Sequence, residues 1–222
     1  MGIRTARRHL AYTDRTGETA FAVIMVMIIN GYIALSKLNT GFLYIVSVNL
    51  GACASWGFID GFIYAISESI ERNSNRKKLL LLKSLKPDDK DQLAKVKGAL
   101  QDTFLADFDD KGKEVIARDI VANAPNASLE DSRIINKEET LGWLSIMSIY
   151  LITGFALALP FLVLPNKTNA WIFSNLAGSA WLFWYGVQLG NSVGKHRLLL
   201  GTLLAMVGIA FLIISYLVWT GR

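Results

Sequence analysis

Residues 41–71, GFLYIVSVNLGACASWGFIDGFIYAISESIE, run from Gly41 to Ser67 with a single charge, Asp60, before the acidic residues Glu68 and Glu71. A helix needs about 20 mostly apolar residues to cross the hydrocarbon core of a bilayer. The stretch is long enough to do so and too long for an ordinary core helix. Outward from it, four more apolar runs are bounded by charge, Pro or Asn/Gly punctuation: Thr19–Ser36, Leu141–Leu164, Asn169–Leu189 and Leu198–Thr220. The expected fold is all-α, a polytopic membrane protein with five transmembrane helices arranged two plus three. SKLNT, PNKTN and NSVGKHR are short connections, which make neighbouring spans antiparallel hairpins. The organisation read from the sequence is an N-terminal segment 1–18, spans one and two in 19–71, a hydrophilic helical insert 72–140 and spans three to five in 141–222.

With 52% hydrophobic and 18% charged residues, the chain is too apolar for a soluble domain of its length. Its net charge of +5 lies beside the apolar runs without interleaved aromatics, which fits topology signals and not a nucleic-acid footprint. Arg4, Arg7, Arg8 and Arg15, the basic insert, Lys195 and Arg197 fall on one side; Lys37, Lys167 and Arg222 fall on the other. The bias predicts a cytoplasmic N-terminus and insert, with the C-terminus outside. The start MGIRTARRHL has no signal-peptide pattern, so the first span is expected to stay in the mature protein. Cys53 is the single cysteine, which excludes an intrachain disulfide and a cysteine-based metal site.

At about 100° per residue, Asn49, Cys53, Trp56, Asp60, Ser67 and Glu71 share a narrow stripe on the second span, with Tyr64 beside it. An ionised Asp near the middle of a membrane helix costs roughly 2.5 to 3.5 kcal/mol on the insertion scale. Asp60 therefore either faces a hydrated path and binds a cation or proton, with Glu68 and Glu71 at the mouth, or is a structural acid held by hydroxyls between helices. Glu68 and Glu71 also stand next to Arg72, Arg76, Lys77 and Lys78, which allows salt bridges. Gly57 and Gly61 give the G-x-x-x-G spacing of close helix contact, and Gly186, Gly190, Gly194, Gly201 and Gly208 continue the theme. Ser145, Met147, Ser148 and Thr153 offer oxygen and thioether groups on the third span, although Met147 also suits plain packing.

In the insert, Leu93, Val96, Leu100 and Phe104 share a helical face after the start signal Pro87, Asp88 and Asp89. A second helix is expected over Lys113–Ala124, ending before Pro125, and Ser128 with Asp131 has capping-box spacing for a third. Asp107, Asp109 and Gly112 begin like a calcium loop, but Lys111 takes a ligand position and Arg118 stands where the closing Glu belongs, so the insert is no EF-hand. Its acids, with Asp102, Asp110, Glu114 and Asp119, read as a solvated face. His9 and His196 are isolated, and Asn166–Thr168 forms a glycosylation sequon close to the membrane. No nucleophile motif, Walker loop or dinucleotide fingerprint occurs, which points away from an enzyme and from any resident cofactor.

NLGACASWGFIDGFIYAISESIER, LPFLVLP and SNLAGSAWLFWYGVQLGNSVGKHRLLLGTLLAMVGIA, in a chain of two spans, an insert and three spans, resemble the vacuolar iron transporter family of proton-coupled divalent-metal exporters. The similarity covers nearly the whole length, and the W-G-x-x-D-G signature resembles that of a prokaryotic branch. It implies a protein of the prokaryotic cytoplasmic membrane, a homodimer, and a divalent ion of the iron or manganese class exchanged for protons. The metal groups would be Asp60, Glu68, Glu71 and Met147, and Asn30, Asn49, Tyr64 and Ser67 would line the ion path. Two features differ from the family pattern. Its members carry Asp-Gly early in the first span, where TAFAVIMVMIINGYIAL offers only Asn30 and Tyr32. The insert between Lys90 and Lys137 holds two glutamates, Glu114 and Glu130. The competing expectation is a non-transporting membrane scaffold or accessory subunit whose insert docks a partner.

Overall fold

The computed structural model describes residues 12–35, 41–85, 90–99, 108–129 and 133–220. All regular structure among them is helical: α1 Tyr12–Leu35, α2 Phe42–Lys83, α3 Lys90–Ala99, α4 Asp110–Asn123, a 3-10 turn Ala124–Asn126, α5 Lys137–Ala158, α6 Pro160–Val163, α7 Lys167–Val193 and α8 Arg197–Thr220. Three of these stretches are long and apolar enough to cross a membrane: Phe42–Lys83, Lys137–Val163 and Arg197–Leu217. The chain forms two compact units. One takes the described residues through Ala65 together with those from Lys137 onward; the other is Ile66–Asn136.

In the first unit α1 is the most enclosed helix. Ala22, Val23, Val26, Met27, Asn30 and Ile33 are buried at a helical spacing, and α1 packs against α5, α7 and α8. Its core joins Cys53, Ile146, Tyr150, Leu157 and Leu182. A second cluster gathers Ile33, Ile45, Phe161, Ala170 and Trp171. The helix begins at Tyr12, seven residues before the expected start at Thr19, so Glu18 lies two turns inside it. Helix α7 is long but less apolar because its inward face is small and polar, with Ser174, Asn175, Gly178, Ser179 and Gly186 all buried.

Local chemistry sets the ends. Pro160 lacks an N–H, so the carbonyl of Ala156 loses its usual donor and takes Leu159 N instead, at 3.4 Å. The third expected span, Leu141–Leu164, is thus a helix interrupted at Leu159, then one further turn. Asn166 caps α7, its side-chain oxygen accepting from Thr168 N at 2.9 Å and Asn169 N at 3.2 Å. Gly194 closes α7 in the left-handed region at φ 75°. Gly186 and Gly190 then let α8 pass at backbone contact with Gly201 and Arg197, as their spacing suggested.

In the second unit, Leu93, Ala117 and Val121 form a small core with Leu82, Leu85, Val96, Ile116 and Ile120. Asp109 caps α4 by accepting from Gly112 N at 2.8 Å. Asp110 pairs with Lys97 at 3.0 Å and Glu114 with Arg118 at 2.9 Å. Lys83 donates to the carbonyls of Ala127 at 2.7 Å and Pro125 at 3.3 Å. Arg72 donates to those of Arg133 at 2.7 Å and Ile134 at 3.5 Å, and Ser69 donates to Ile134 as well. The described residues between Ala127 and Asn136 form no helix, and the carbonyls of Ala127, Arg133 and Ile134 take these side-chain donors. The expected third insert helix is therefore corrected at Ser128. Asp131, Leu100, Phe104, Asp102, Asp107 and the start signal Pro87–Asp89 lie outside the described residues.

Arg72 retains 9% of its exposure, and a charged donor to a carbonyl contributes about 1.5–3 kcal/mol. Replacing it with Met, which keeps the apolar stem, is expected to destabilise the second unit by about 2 kcal/mol. Hydrogen exchange should then accelerate first at residues 133–136; unchanged protection there would refute the role.

Candidate functional site

Polar side chains in the first unit gather in two layers. The first joins three helices at the hydroxyl of Tyr150, a residue with no exposed surface. That oxygen hydrogen-bonds Asp60 Oδ2 on α2 and lies 3.3 Å from Glu18 Oε2 on α1. Asp60 and Glu18 are half-buried. At 1.5 Å per residue, both acids stand about 26 Å from the Leu35–Phe42 end of their helices. A hydrocarbon core is about 30 Å thick. If such a core begins at the Phe42 end of α2, Asp60 lies toward its opposite edge, where an acid costs less than at mid-depth.

The approach of α2 to α5 that makes this contact depends on glycine. A Cβ on Gly57 would lie 2.9 Å from Met147 Cα and 3.0 Å from Tyr150 Cβ, and one on Gly61 would lie 2.8 Å from the Trp143 carbonyl oxygen. The G-x-x-x-G pair therefore meets α5. Trp143 lies over Gly61 with its ring edge-on to Phe58 and Phe62, at centroid distances of 4.9 and 5.5 Å.

The second layer lies about 8–10 Å from the Leu35–Phe42 end. Asn49 Nδ2 donates to Asn30 Oδ1 at 2.6 Å and to the Ile45 carbonyl at 3.0 Å. Asn30 Nδ2 donates to Ser174 Oγ at 2.9 Å and to the Leu157 carbonyl at 3.3 Å. Ser174 Oγ donates to the same carbonyl at 2.7 Å. About 16–18 Å of helix separates the two layers, filled by Ala22, Val23, Val26, Met27 and Cys53.

The structure thus joins Asp60 to Tyr150 and Glu18, and Asn30 to Asn49. The polar stripe does not stay together. Asn49 and Cys53 are buried and Asp60 and Tyr64 half-buried, whereas Trp56, Ser67 and Glu71 are exposed. The buried seam of α2 steps by four through Ile45, Asn49, Cys53, Gly57, Gly61 and Ala65, because small residues permit the closest approach. Tyr64 fills the space over Gly142, and Met147 lies with its backbone against Gly57. Glu68, Glu71 and Ser67 belong to the second unit, where all three are exposed. Ser145 and Ser148 donate their hydroxyl hydrogens to the carbonyls of Leu141 and Leu144, each at 2.7 Å, a backbone bond typical of helical serines. Among the described residues, no three His, Cys, Asp or Glu side chains converge as a metal site.

Three members of these layers were missed from sequence. Glu18 lies just outside the apolar run that begins at Thr19, although it precedes Ala22, Val26 and Asn30 at the same four-residue step. Tyr150 and Ser174 sit among apolar neighbours and carry no motif. No protein-family model matches the chain, and no curated protein matches it.

Proposed function

We propose that the protein is a five-span secondary transporter of divalent metal cations of the iron or manganese class, coupled to protons through Asp60. The topology is a cytoplasmic N-terminus and insert with the C-terminus outside, in a homodimer of the prokaryotic cytoplasmic membrane. The observation that carries this is the contact of Asp60 and Glu18, from two helices, with one phenol. Tyr150 has a single hydrogen for two carboxylates. It can serve one of them at a time, and a proton or a cation held between the two acids would relieve their mutual repulsion. A group that takes one or the other is the minimum requirement for exchange. Carboxylate oxygens suit hard and borderline divalent ions, and Met147, one turn before Tyr150, adds a thioether. Glu68 and Glu71 would serve the cytoplasmic entrance.

The test is manganese uptake into proteoliposomes with an imposed pH gradient. Gradient-dependent uptake supports the proposal; uptake equal to that of protein-free vesicles rejects it. Tyr150→Phe keeps the ring and removes the shared hydrogen. It is expected to lower uptake about tenfold, equivalent to about 1.4 kcal/mol, and to shift its pH profile. An unaltered profile would separate the phenol from coupling.

The absence of a three-ligand cluster among the described residues favours a second reading, a non-transporting scaffold whose insert docks a partner. A stoichiometric partner lost on deleting residues 79–138, without transport, would establish it.

A further inference from the structure

The layer formed by Asn30, Asn49 and Ser174 holds more acceptors than donors. All three side chains have 0% exposure. The two amide hydrogens of Asn30 go to Ser174 Oγ and the Leu157 carbonyl, those of Asn49 to Asn30 Oδ1 and the Ile45 carbonyl, and the Ser174 hydroxyl to Leu157. Every hydrogen these side chains carry is committed. Asn49 Oδ1 is buried with no hydrogen-bond partner, and Asn30 Oδ1 and Ser174 Oγ each keep a lone pair. The indole N–H of Trp171, also unpartnered, lies beside Gly31 and Ser215.

We propose that this layer binds a monovalent cation of sodium size, with Asn49 Oδ1 as its principal ligand and Asn30 Oδ1 and Ser174 Oγ beside it. A buried acceptor without a partner calls for a donor or a cation. Water would satisfy Asn49 but would bring two lone pairs of its own, and Asn30, Asn49 and Ser174 have no hydrogen left to offer them. A cation brings none. The oxygens are neutral, which suits a singly charged ion; a divalent one demands carboxylates, and the nearest such layer is about 16–18 Å away along the helices. Leu157 lies in the last turn of α5, next to the break at Leu159 and Pro160. The negative end of that helix dipole favours a cation, and interrupted helices of this kind hold sodium in membrane carriers. The site does not depend on divalent transport through Asp60.

Thermal unfolding of the full chain in lipid nanodiscs, followed by tryptophan fluorescence at constant ionic strength, tests the site. Sodium chloride is expected to raise Tm saturably above choline chloride, with potassium weaker. Asn49→Leu should remove the sodium increment, and Ser174→Ala should raise the half-saturating sodium concentration about tenfold. Asp60→Asn should leave both unchanged, so failure of metal uptake and failure of sodium binding are distinguishable. Equal Tm in sodium and choline, as expected if water alone occupies the layer, overturns the proposal. So does a sodium increment that survives Asn49→Leu. If that variant does not fold, an unchanged half-saturation in Ser174→Ala is decisive against it.

Discussion

Asp60→Asn is expected to reduce pH-driven manganese uptake by about 100-fold or more, a loss of nearly 3 kcal/mol, while the folded protein remains at least as stable as the parent. Asn has the shape of Asp and still offers Oδ1 to the Tyr150 hydroxyl, so the contact between α2 and α5 persists. Its charge is gone, and a neutral amide is cheaper to bury than a carboxylate. Higher stability with lost transport would mark Asp60 as an acid retained for function. Full uptake in the variant would refute its proposed role. Glu18→Gln, in a helix whose apolar run begins just after it, is expected to act in the same direction, and the double variant should fall no further if the two acids form one site.

Gly57→Val should be the most damaging single substitution in the α2–α5 contact. Its first added carbon would lie 2.9 Å from Met147 Cα, which is backbone, and 3.0 Å from Tyr150 Cβ. Neither can rotate away, so the helices must separate. Overpacking of this kind costs about 1–3 kcal/mol, and the upper end is expected here. Separation also withdraws the Tyr150 hydroxyl from Asp60, so uptake should fail in whatever fraction remains folded. Gly51 provides the control, because an added Cβ there meets nothing within 4 Å. Gly51→Ala is expected to be neutral or to stabilise by about 0.5–1 kcal/mol. If Gly57→Val is equally benign, the close approach of α2 to α5 is wrong.

The middles of the helices were readable from sequence because twenty apolar residues have few alternatives to a helix in lipid. Their ends were not. Charge marks where the apolar run stops, and helix α1 continues through Glu18 beyond that point; α2 likewise runs past Ser67 to Lys83. The buried face of α2 departs from its polar stripe for a different reason. Polar residues suggest an interior stripe, but backbone proximity is set by the smallest residues, and Gly57 and Gly61 rotate Trp56 and Ser67 outward. Asn30 and Asn49 were recognised as polar groups in apolar runs. Their bond to each other, and the participation of Ser174, depend on pairings across 19 and 144 residues that no local pattern encodes. The return of the insert is not helical where it is described, and Lys83 and Arg72 donate to its carbonyls, long-range contacts invisible to a capping-box pattern.

The central place of α1 bears on biogenesis. This segment leaves the ribosome well before the helices it packs against, and Ser174, to which its Asn30 donates, follows 144 residues later. At common rates of synthesis the amide must wait roughly 7–30 s for that hydroxyl. During that interval, if α1 spans the membrane as proposed, a nascent intermediate would have to shelter the asparagine through temporary pairing or an insertase, and premature termination before α7 would leave its polar group exposed for quality control to recognise.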